Sequence, residues 1–244
     1  MLFRSAVWGT SPTASPGPRN VLTAIADTGG YVAGAWSEGE LVGASFGLTY
    51  LDGAEPCLRS QVTGVLHPGR GVGEALKRHQ QQWAAEHGLH RITWTFDPLV
   101  RRNARFNLGR LGAQIVRFVP NFYGSLDDGL NGTDETDRCV VSWEVTGPLV
   151  NAEDCRSDEL LRATHAALLV PAADGTPTVN ELAVAPLLVA TPVDIVTLRQ
   201  TDPAGAGAWR HAIRAAFSRA FDSGLVADLI TTDGYYRFCR REDT

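Results

Sequence analysis

The chain has 244 residues and a mass of 26.3 kDa, with 44% hydrophobic and 20% charged residues, a composition typical of a globular protein. Its net charge of -5 and pI near 5.7 give no basic surface, so we expect neither nucleic acid nor an anionic membrane as a partner. The cysteines lack metal-ligand spacing, and no segment has the apolar run of a signal peptide or membrane span, which predicts a cytoplasmic protein without a metal site.

The first predicted elements form an antiparallel meander. A helix is expected from Arg19 to Asp27, where two glycines follow closely. Three strands come next, separated by the turn sequences SEGE and LDGAEP; they run from Tyr31 to Trp36, from Leu41 to Tyr50 and from Cys57 to Leu66. The third strand leads directly into a glycine-rich turn.

That turn has the sequence HPGRGVGEAL and opens a predicted helix. Because glycine has no side chain, the amides of Arg70, Gly71, Val72 and Gly73 can approach phosphate oxygens at the positive end of the helix. The turn therefore predicts a nucleotide-bearing ligand, although such turns also arise for geometric reasons alone. A P-loop is excluded because Glu and Ala follow the last glycine, and the glycine spacing disfavours a dinucleotide fingerprint.

The next elements predict a single crossover. Apolar spacing indicates a helix from Val72 to His87, and a strand with alternating pattern follows from Ile92 to Phe96. The strands on either side of this helix should be parallel neighbours in an otherwise antiparallel sheet. Asp97 and Pro98 then begin a second helix that Gly112 ends.

Two further strands, from Ala113 to Val119 and from Arg138 to Val145, complete a mixed α/β sheet with helices on its faces. Beyond Pro148 the pattern changes, and we expect a second small unit. Its elements are helices over Leu160–Ala167 and Ala204–Phe221, an extended segment at Leu187–Val189, and a hairpin of Leu225–Ile230 with Tyr235–Cys239. We therefore predict domains at residues 1–147 and 148–244, with no role assigned to the second.

This order of elements resembles the GNAT acyltransferase superfamily over about Phe3 to Val145. The stretches HPGRGVGEALK, ITWTFDPL, NARFNLGRLGA, PNFYG and CVVSWEV carry the resemblance and are similar to one bacterial branch of predicted acetyltransferases with a C-terminal extension. The family's fold is a mostly antiparallel sheet with one splayed parallel pair. FRSAVWG resembles the end of the family's first helix, so the first edge strand and the start of that helix are expected to be missing. Either the true start lies upstream, or the edge at Tyr31 to Trp36 is covered another way, for example by a partner chain in a homodimer.

The resemblance implies acetyl-CoA or another acyl-CoA as the co-substrate. The backbone of Val65 and Leu66 would pair with the pantetheine arm, and the amides from Arg70 to Glu74 would bind the pyrophosphate. Side chains on the later helix would add contacts, from Asn103 and Phe106 to the arm and from Arg110 to a phosphate. Each of the three could equally be a solvated or core position of that helix.

The expected reaction is direct attack of a small-molecule amine on the thioester, with a backbone N–H polarising the carbonyl oxygen. Asp97 could remove the amine proton, but as an Asp before Pro it is at least as well suited to capping a helix. Tyr123 could protonate the departing thiolate or simply pack in its turn. Two departures from the family weaken the match: Pro68 lacks an N–H in the turn, and Leu108 occupies the place of the usual acidic tyrosine.

Two alternatives therefore stay open. The chain could be a CoA-binding or regulatory protein that keeps the fold but has lost catalysis. It could also be a nucleotide-binding enzyme of another fold, with Asp97 on a ribose.

Overall fold

The computed structural model describes residues 17–124, 135–146, 158–181 and 185–241. The described residues pack into two compact units, of which the first comprises residues 17–94 and 143–146 and the second comprises the rest. Helices flank mostly antiparallel strands, as the sequence predicted. No helix within the described ranges is long and apolar enough to cross a membrane.

The first unit follows the predicted order of elements closely. They are helix α1 (Arg19–Asp27), strands β1 (Tyr31–Ser37), β2 (Glu40–Asp52) and β3 (Glu55–Val65), helix α2 (Val72–Glu86) and strand β4 (Arg91–Phe96), whose last two residues belong to the second unit. The strands lie in the order β1-β2-β3-β4. β2 is antiparallel to both β1 and β3, whereas β3 and β4 are parallel, which confirms the crossover through α2.

Local sequence fixes the turns and the closeness of α2 to the sheet. Glu38 and Gly39 both have positive φ, at 51° and 83°, as a two-residue type I′ hairpin requires. A Cβ on Gly43 of β2 would lie 2.8 Å from the Val72 side chain. Glycine at this position therefore allows the first turn of α2 to pack directly on the sheet.

The second unit combines the middle and the end of the chain. Its elements are α3 (Arg101–Ala104), which continues as a π-helix (Arg105–Arg110), β5 (Gln114–Val119), β6 (Arg138–Glu144), α4 (Asp158–Thr164), β7 (Ala166–Pro171), β8 (Pro177–Val179), β9 (Leu187–Ala190), α5 (Ile195–Thr201), α6 (Pro203–Asp222), β10 (Leu225–Ile230) and β11 (Tyr235–Arg240). The strand order is β6-β5-β10-β11-β9-β7-β8, and the last two residues of β6 belong to the first unit.

Strand β10 pairs with β5 through Ala227 and Ile115, so the C-terminal segment extends the same sheet as the middle of the chain. Phe217 of α6 forms the centre of the core beneath that sheet, in edge-on contact with Phe118, Tyr236 and Phe238. The boundary predicted at residues 147 and 148 lies outside the described residues, as do residues 3–9, which suggested a clipped first helix.

Two predictions about the C-terminal segment were wrong. The helix expected over Leu160–Ala167 ends at Thr164, and the apolar run that follows is β7. β7 pairs in parallel with β9, and a short apolar run buried in a parallel sheet has no alternation to separate it from a helix. Helix α5 was not predicted, although Asp194 caps it by accepting hydrogen bonds from Val196 and Thr197.

Candidate functional site

The glycine turn between β3 and α2 is exposed to solvent from His67 to Gly71. Gly69 and Gly71 have φ of 86° and 77°, and a Cβ on either would meet nothing within 4 Å. The left-handed backbone, rather than crowding, therefore requires glycine at these two positions. No side chain caps α2, so the first N–H groups of this 15-residue helix are left for an outside acceptor.

The edge of β3 is the second feature of the site. Its parallel pairing with β4 covers only residues 57–59 and ends at Arg59 and Thr93, whereas β3 continues to Val65. The Leu66 N–H donates to Val42 of β2. Because peptide groups alternate in direction along a strand, those of Val65 point to the opposite edge. Of the two residues predicted to pair with the pantetheine arm, Val65 has the suitable direction, whereas the Leu66 amide is already bonded.

A β-bulge lies where β3 leaves β4. In the β2 ladder Phe46 faces Val62 and Gly47 faces Ser60, so Gln61 has no partner on β2. A bulge bends its strand and increases the local twist, and this one lies two residues beyond Arg59, the last residue of β3 in the ladder with β4. The Ser45 hydroxyl lies 2.8 Å from that of Thr63 and donates to the Val62 carbonyl. Gln61 and Thr63 therefore lie at and just beyond the bulge.

Lys77 is a residue of this region whose importance the sequence did not reveal. It lies on the sheet-facing side of α2, and its Nζ donates to Ser60 Oγ at 2.8 Å and to Gln80 Oε1 at 3.2 Å. Nζ also lies 3.9 Å from the centroid of the Trp94 ring. Burial lowers the pKa of Lys77 to about 7, because an ammonium group loses its hydration there. The only signal in the sequence was that this is the chain's single lysine.

Asp97 lies in the second unit as a buried ion-pair centre. Its Oδ1 and Oδ2 accept from Arg210 at 2.9 and 2.8 Å, Oδ2 also accepts from Arg199 at 2.7 Å, and Oδ1 accepts the Leu99 N–H. Burial alone would raise the pKa of Asp97, but the hydrogen bonds and charges of the two arginines outweigh it and hold the pKa below its usual value. A low pKa and four accepted hydrogen bonds make Asp97 a poor base, so the structural interpretation is favoured.

Tyr123 also belongs to the second unit and has an accessible hydroxyl. The residue is 42% exposed, and its OH lies 3.0 Å from Thr95 Oγ1, close to the end of β4. The guanidinium of Arg138 lies 5.4 Å from the ring centroid, which fixes the ring while leaving its hydroxyl at the surface. The catalytic role of Tyr123 stays a prediction.

The remaining predicted residues lie on the helix after β4. Asn103 and Arg110 are exposed, and Phe106 is partly buried on the π-helix. Leu108 is 2% exposed and thus packs in the core. The contacts expected from Asn103, Phe106 and Arg110 to the arm and the phosphates stay predictions. In the described part of the chain, no group of His, Cys, Asp and Glu side chains has the arrangement of a metal site.

Comparison with known proteins gives the following. No family model matches the chain, and no curated protein matches its sequence. Among solved structures, the chain is similar to an IAA acetyltransferase from Bacillus cereus, at 18% identity and a TM-score of 0.42 over 56% of this chain and 93% of that one. It is also similar to a GNAT family acetyltransferase from Elizabethkingia anophelis with acetyl-CoA bound, at 16% identity and a TM-score of 0.42 over 52% and 83% of the two chains.

A third similar structure is a ribosomal-protein-alanine N-acetyltransferase from Brucella melitensis, at 15% identity and a TM-score of 0.42 over 51% of this chain and 75% of that one.

Proposed function

We propose that the chain is an acyl-CoA-dependent N-acyltransferase that transfers an acetyl group from acetyl-CoA to a small-molecule amine. One combination of features carries the proposal. The glycine turn is exposed and no side chain caps the helix that follows it, and the ladder between β3 and β4 ends at Arg59, before β3 reaches that turn. Both features belong to the first unit, and eight residues of chain, from Val65 to Val72, connect them.

The turn fits a diphosphate by its donors and by its open space. Val72 and Gly73 begin α2, where the first N–H groups of a helix have no acceptor one turn earlier, and Ala75 bonds back to the Gly71 carbonyl at 2.9 Å. The positive end of the helix adds an attraction for anions. Pro68 lacks an N–H but lies outside this set of donors, so its presence does not remove the cradle.

The strand edge fits an extended, amide-containing arm. Peptide groups that point away from β2 beyond Arg59 can accept and donate hydrogen bonds as an additional strand would. In the proposal, Val65 pairs with the arm, and the turn residues Arg70, Gly71, Val72, Gly73 and Glu74 hold the pyrophosphate.

Acetyl-CoA would supply the acetyl group as a thioester, in which the C–S bond is replaced by a C–N bond to the amine. The chain's contribution is mainly positional: a backbone N–H on the free edge of β3 polarises the carbonyl oxygen. The Tyr123 hydroxyl is the proposed proton donor to the departing thiolate, and the proton lost by the amine passes to solvent. Asp97 is not needed as a base in this scheme, because an amine that arrives unprotonated can attack directly.

The test is binding followed by turnover. Titration of the protein with acetyl-CoA in a calorimeter should give saturable binding, and NAD should give none. Release of free thiol should then depend on an amine from a panel of amino acids, polyamines and aminoglycosides. Absence of acetyl-CoA binding at millimolar concentrations would refute the proposal.

A second candidate, a CoA-binding protein without catalysis, is favoured by one specific observation. Leu108 is buried at the position of the usual acid, and the Asp97 carboxylate is fully engaged by arginines and a backbone amide. Tight CoA binding without thiol release from any amine would identify this function. The same contacts at Asp97 disfavour the nucleotide-binding alternative, since its carboxylate has no accepting position left for a ribose hydroxyl.

A further inference from the structure

Strand β1 is the outermost strand of the first unit and has none of the features that protect an exposed edge. Within the described ranges it bonds to β2 alone, from Tyr31 to Ser37. Its sequence YVAGAWS contains no charged residue and no proline, whereas natural edge strands are commonly very short, charged or broken by proline. The register shift between β1 and β2 leaves Val42 of β2 as the extra residue, so β1 itself has no bulge. Its outer edge therefore fits another strand.

Two apolar side chains of β1 are exposed on the same face of the sheet. Val32 is 42% and Trp36 65% exposed. Because side chains alternate along a strand, Val32, Gly34 and Trp36 share one face. The Trp36 indole lies against Gly34, where a Cβ would come within 2.5 Å of the ring. Contact with Gly34 accounts for one side of the indole, and the other side is left to solvent.

Helix α1 forms an open groove beside β1 on this face. The α1 groove is mostly apolar and is lined by Arg19, Leu22, Thr23, Ala26, Asp27 and Val32. Val32 belongs both to the groove and to the edge strand. An apolar side chain that arrives opposite Val32 on a neighbouring strand therefore meets the mouth of the groove.

The spacing along β1 makes this edge complementary to itself. Val32 and Trp36 lie two residues on either side of Gly34. When two β1 strands pair in antiparallel about a two-fold axis at Gly34, Trp36 of each copy faces Val32 of the other. An aromatic residue opposite a β-branched one is a favourable cross-strand pair. An axis at Ala33 or Ala35 would instead place Val32 or Trp36 opposite glycine, so the register about Gly34 is the favoured one.

We propose that the outer edge of β1 docks a second copy of this chain, by antiparallel pairing of the two β1 strands about Gly34. The inference does not depend on the proposed function. The free backbone groups of each β1 bond to those of the other, and each Trp36 indole packs against Val32 at the mouth of the other copy's α1 groove. The first units of the two copies then share one continuous sheet, which explains why β1 needs no charge to protect it.

The first measurement is the oligomeric state of the whole wild-type chain by sedimentation velocity. At about 0.1 mM, where a dimer of micromolar affinity is almost fully formed, we expect twice the 26.3 kDa mass of one chain. Dilution should return the single-chain mass. Hydrogen exchange of the wild type should show amides within residues 32–36 exchanging about tenfold more slowly at the higher concentration, because the outer edge is then bonded.

Opposite charges at the two exposed positions test the register. One variant carries Val32→Glu with Trp36→Glu, and a second carries Val32→Lys with Trp36→Lys. Each should be a monomer alone, because like charges face each other across the axis, and an equimolar mixture should regain the dimer. Positions 32 and 36 are about 13 Å apart along one strand, so opposite charges meet only between copies. Leu51→Lys is the matched control: Leu51 is 69% exposed on β2 beyond its ladder with β1, and its replacement should leave the dimer intact.

Three results would overturn the proposal. A wild type that stays a monomer at the higher concentration, with unchanged exchange in β1, would mean that no second copy occupies the edge. A charged variant that still dimerises alone would place the contact on another face. A mixture of two folded charged variants that stays monomeric, while the wild type dimerises, would refute the register about Gly34. None of these measurements requires acetyl-CoA, so the proposed function stands or falls separately.

Discussion

The buried ammonium of Lys77 makes the stability of this protein depend on pH in a predictable direction. Its pKa is about 7 in the folded protein and 10.5 when the group is unperturbed. Between these values the unfolded chain holds a proton that the folded chain has released, so the free energy of unfolding increases as the pH rises. Above pH 10.5 the gain in unfolding free energy is complete, and it is lost as the pH falls through about 7.

The size of this effect follows from the two pKa values. A shift of one unit corresponds to about 1.4 kcal/mol, and integration of the linkage relation from pH 7 to pH 9 gives an increase of about 2 kcal/mol in unfolding free energy. The face of Trp94 stabilises the ammonium by about 2 kcal/mol or more when desolvated, which acts against burial and makes this figure an upper value. The change in unfolding free energy can be assigned to Lys77, because every other side-chain cation apart from histidine is an arginine.

The assay is urea unfolding of the wild type and of Lys77→Met at pH 7, 8 and 9. The histidines and cysteines titrate alike in both proteins, so the difference between the two curves reports Lys77 alone. We expect Lys77→Met to be the more stable protein at pH 7 and the advantage to shrink as the pH rises. An advantage that is constant or grows with pH would refute the assignment of a depressed pKa to Lys77.

Three further predictions follow from the same structure. Asp97→Ala should lower the free energy of unfolding by about 3 to 5 kcal/mol, because it removes the carboxylate that faces the buried guanidinium of Arg210; wild-type stability with lost turnover would instead make Asp97 a base. Gly71→Ala should cost about 1 to 2 kcal/mol in thermal unfolding through its left-handed φ and weaken acetyl-CoA binding in calorimetry, whereas Gly73→Ala, inside the helix, should be as stable as the wild type or slightly more so. Tyr123→Phe should lower kcat at least a hundredfold with little change in KM if the hydroxyl is the acid; an unchanged kcat in the thiol-release assay would reduce the residue to packing.

Local patterns were sufficient to predict the first unit. The bounds of α1 coincide with the prediction, and β1 to β4 differ from it by three residues or fewer at each end. Alternating apolar residues, glycine turns and an uninterrupted helix spacing all act within a few residues of each other, so the sequence shows them directly. The exposed turn at Gly69 and Gly71 belongs to this class of feature.

The remaining features of the fold and of the candidate site depend on contacts between residues that are distant in the sequence. Asp97 was weighed as a base or a cap because Arg199 and Arg210, 102 and 113 residues further along, could not be foreseen as its partners. Helix α3 was expected as an ordinary helix, yet from Arg105 to Arg110 it is a π-helix, and its apolar spacing does not distinguish the two. The contacts of Lys77 with Ser60 of β3 and Trp94 of β4 depend on how α2 packs on the sheet, which local sequence patterns do not show.

The ion pairs of Asp97 also have a consequence for biosynthesis. Synthesis runs from the N-terminus, so this carboxylate leaves the ribosome more than 100 residues before either arginine. At about 5 to 20 residues per second, the interval is several seconds or more, during which the nascent second unit lacks α6 and both strands of its final hairpin. We expect a chain stalled before Arg199 to be an efficient client for chaperones, and the second unit to close only when translation is nearly complete.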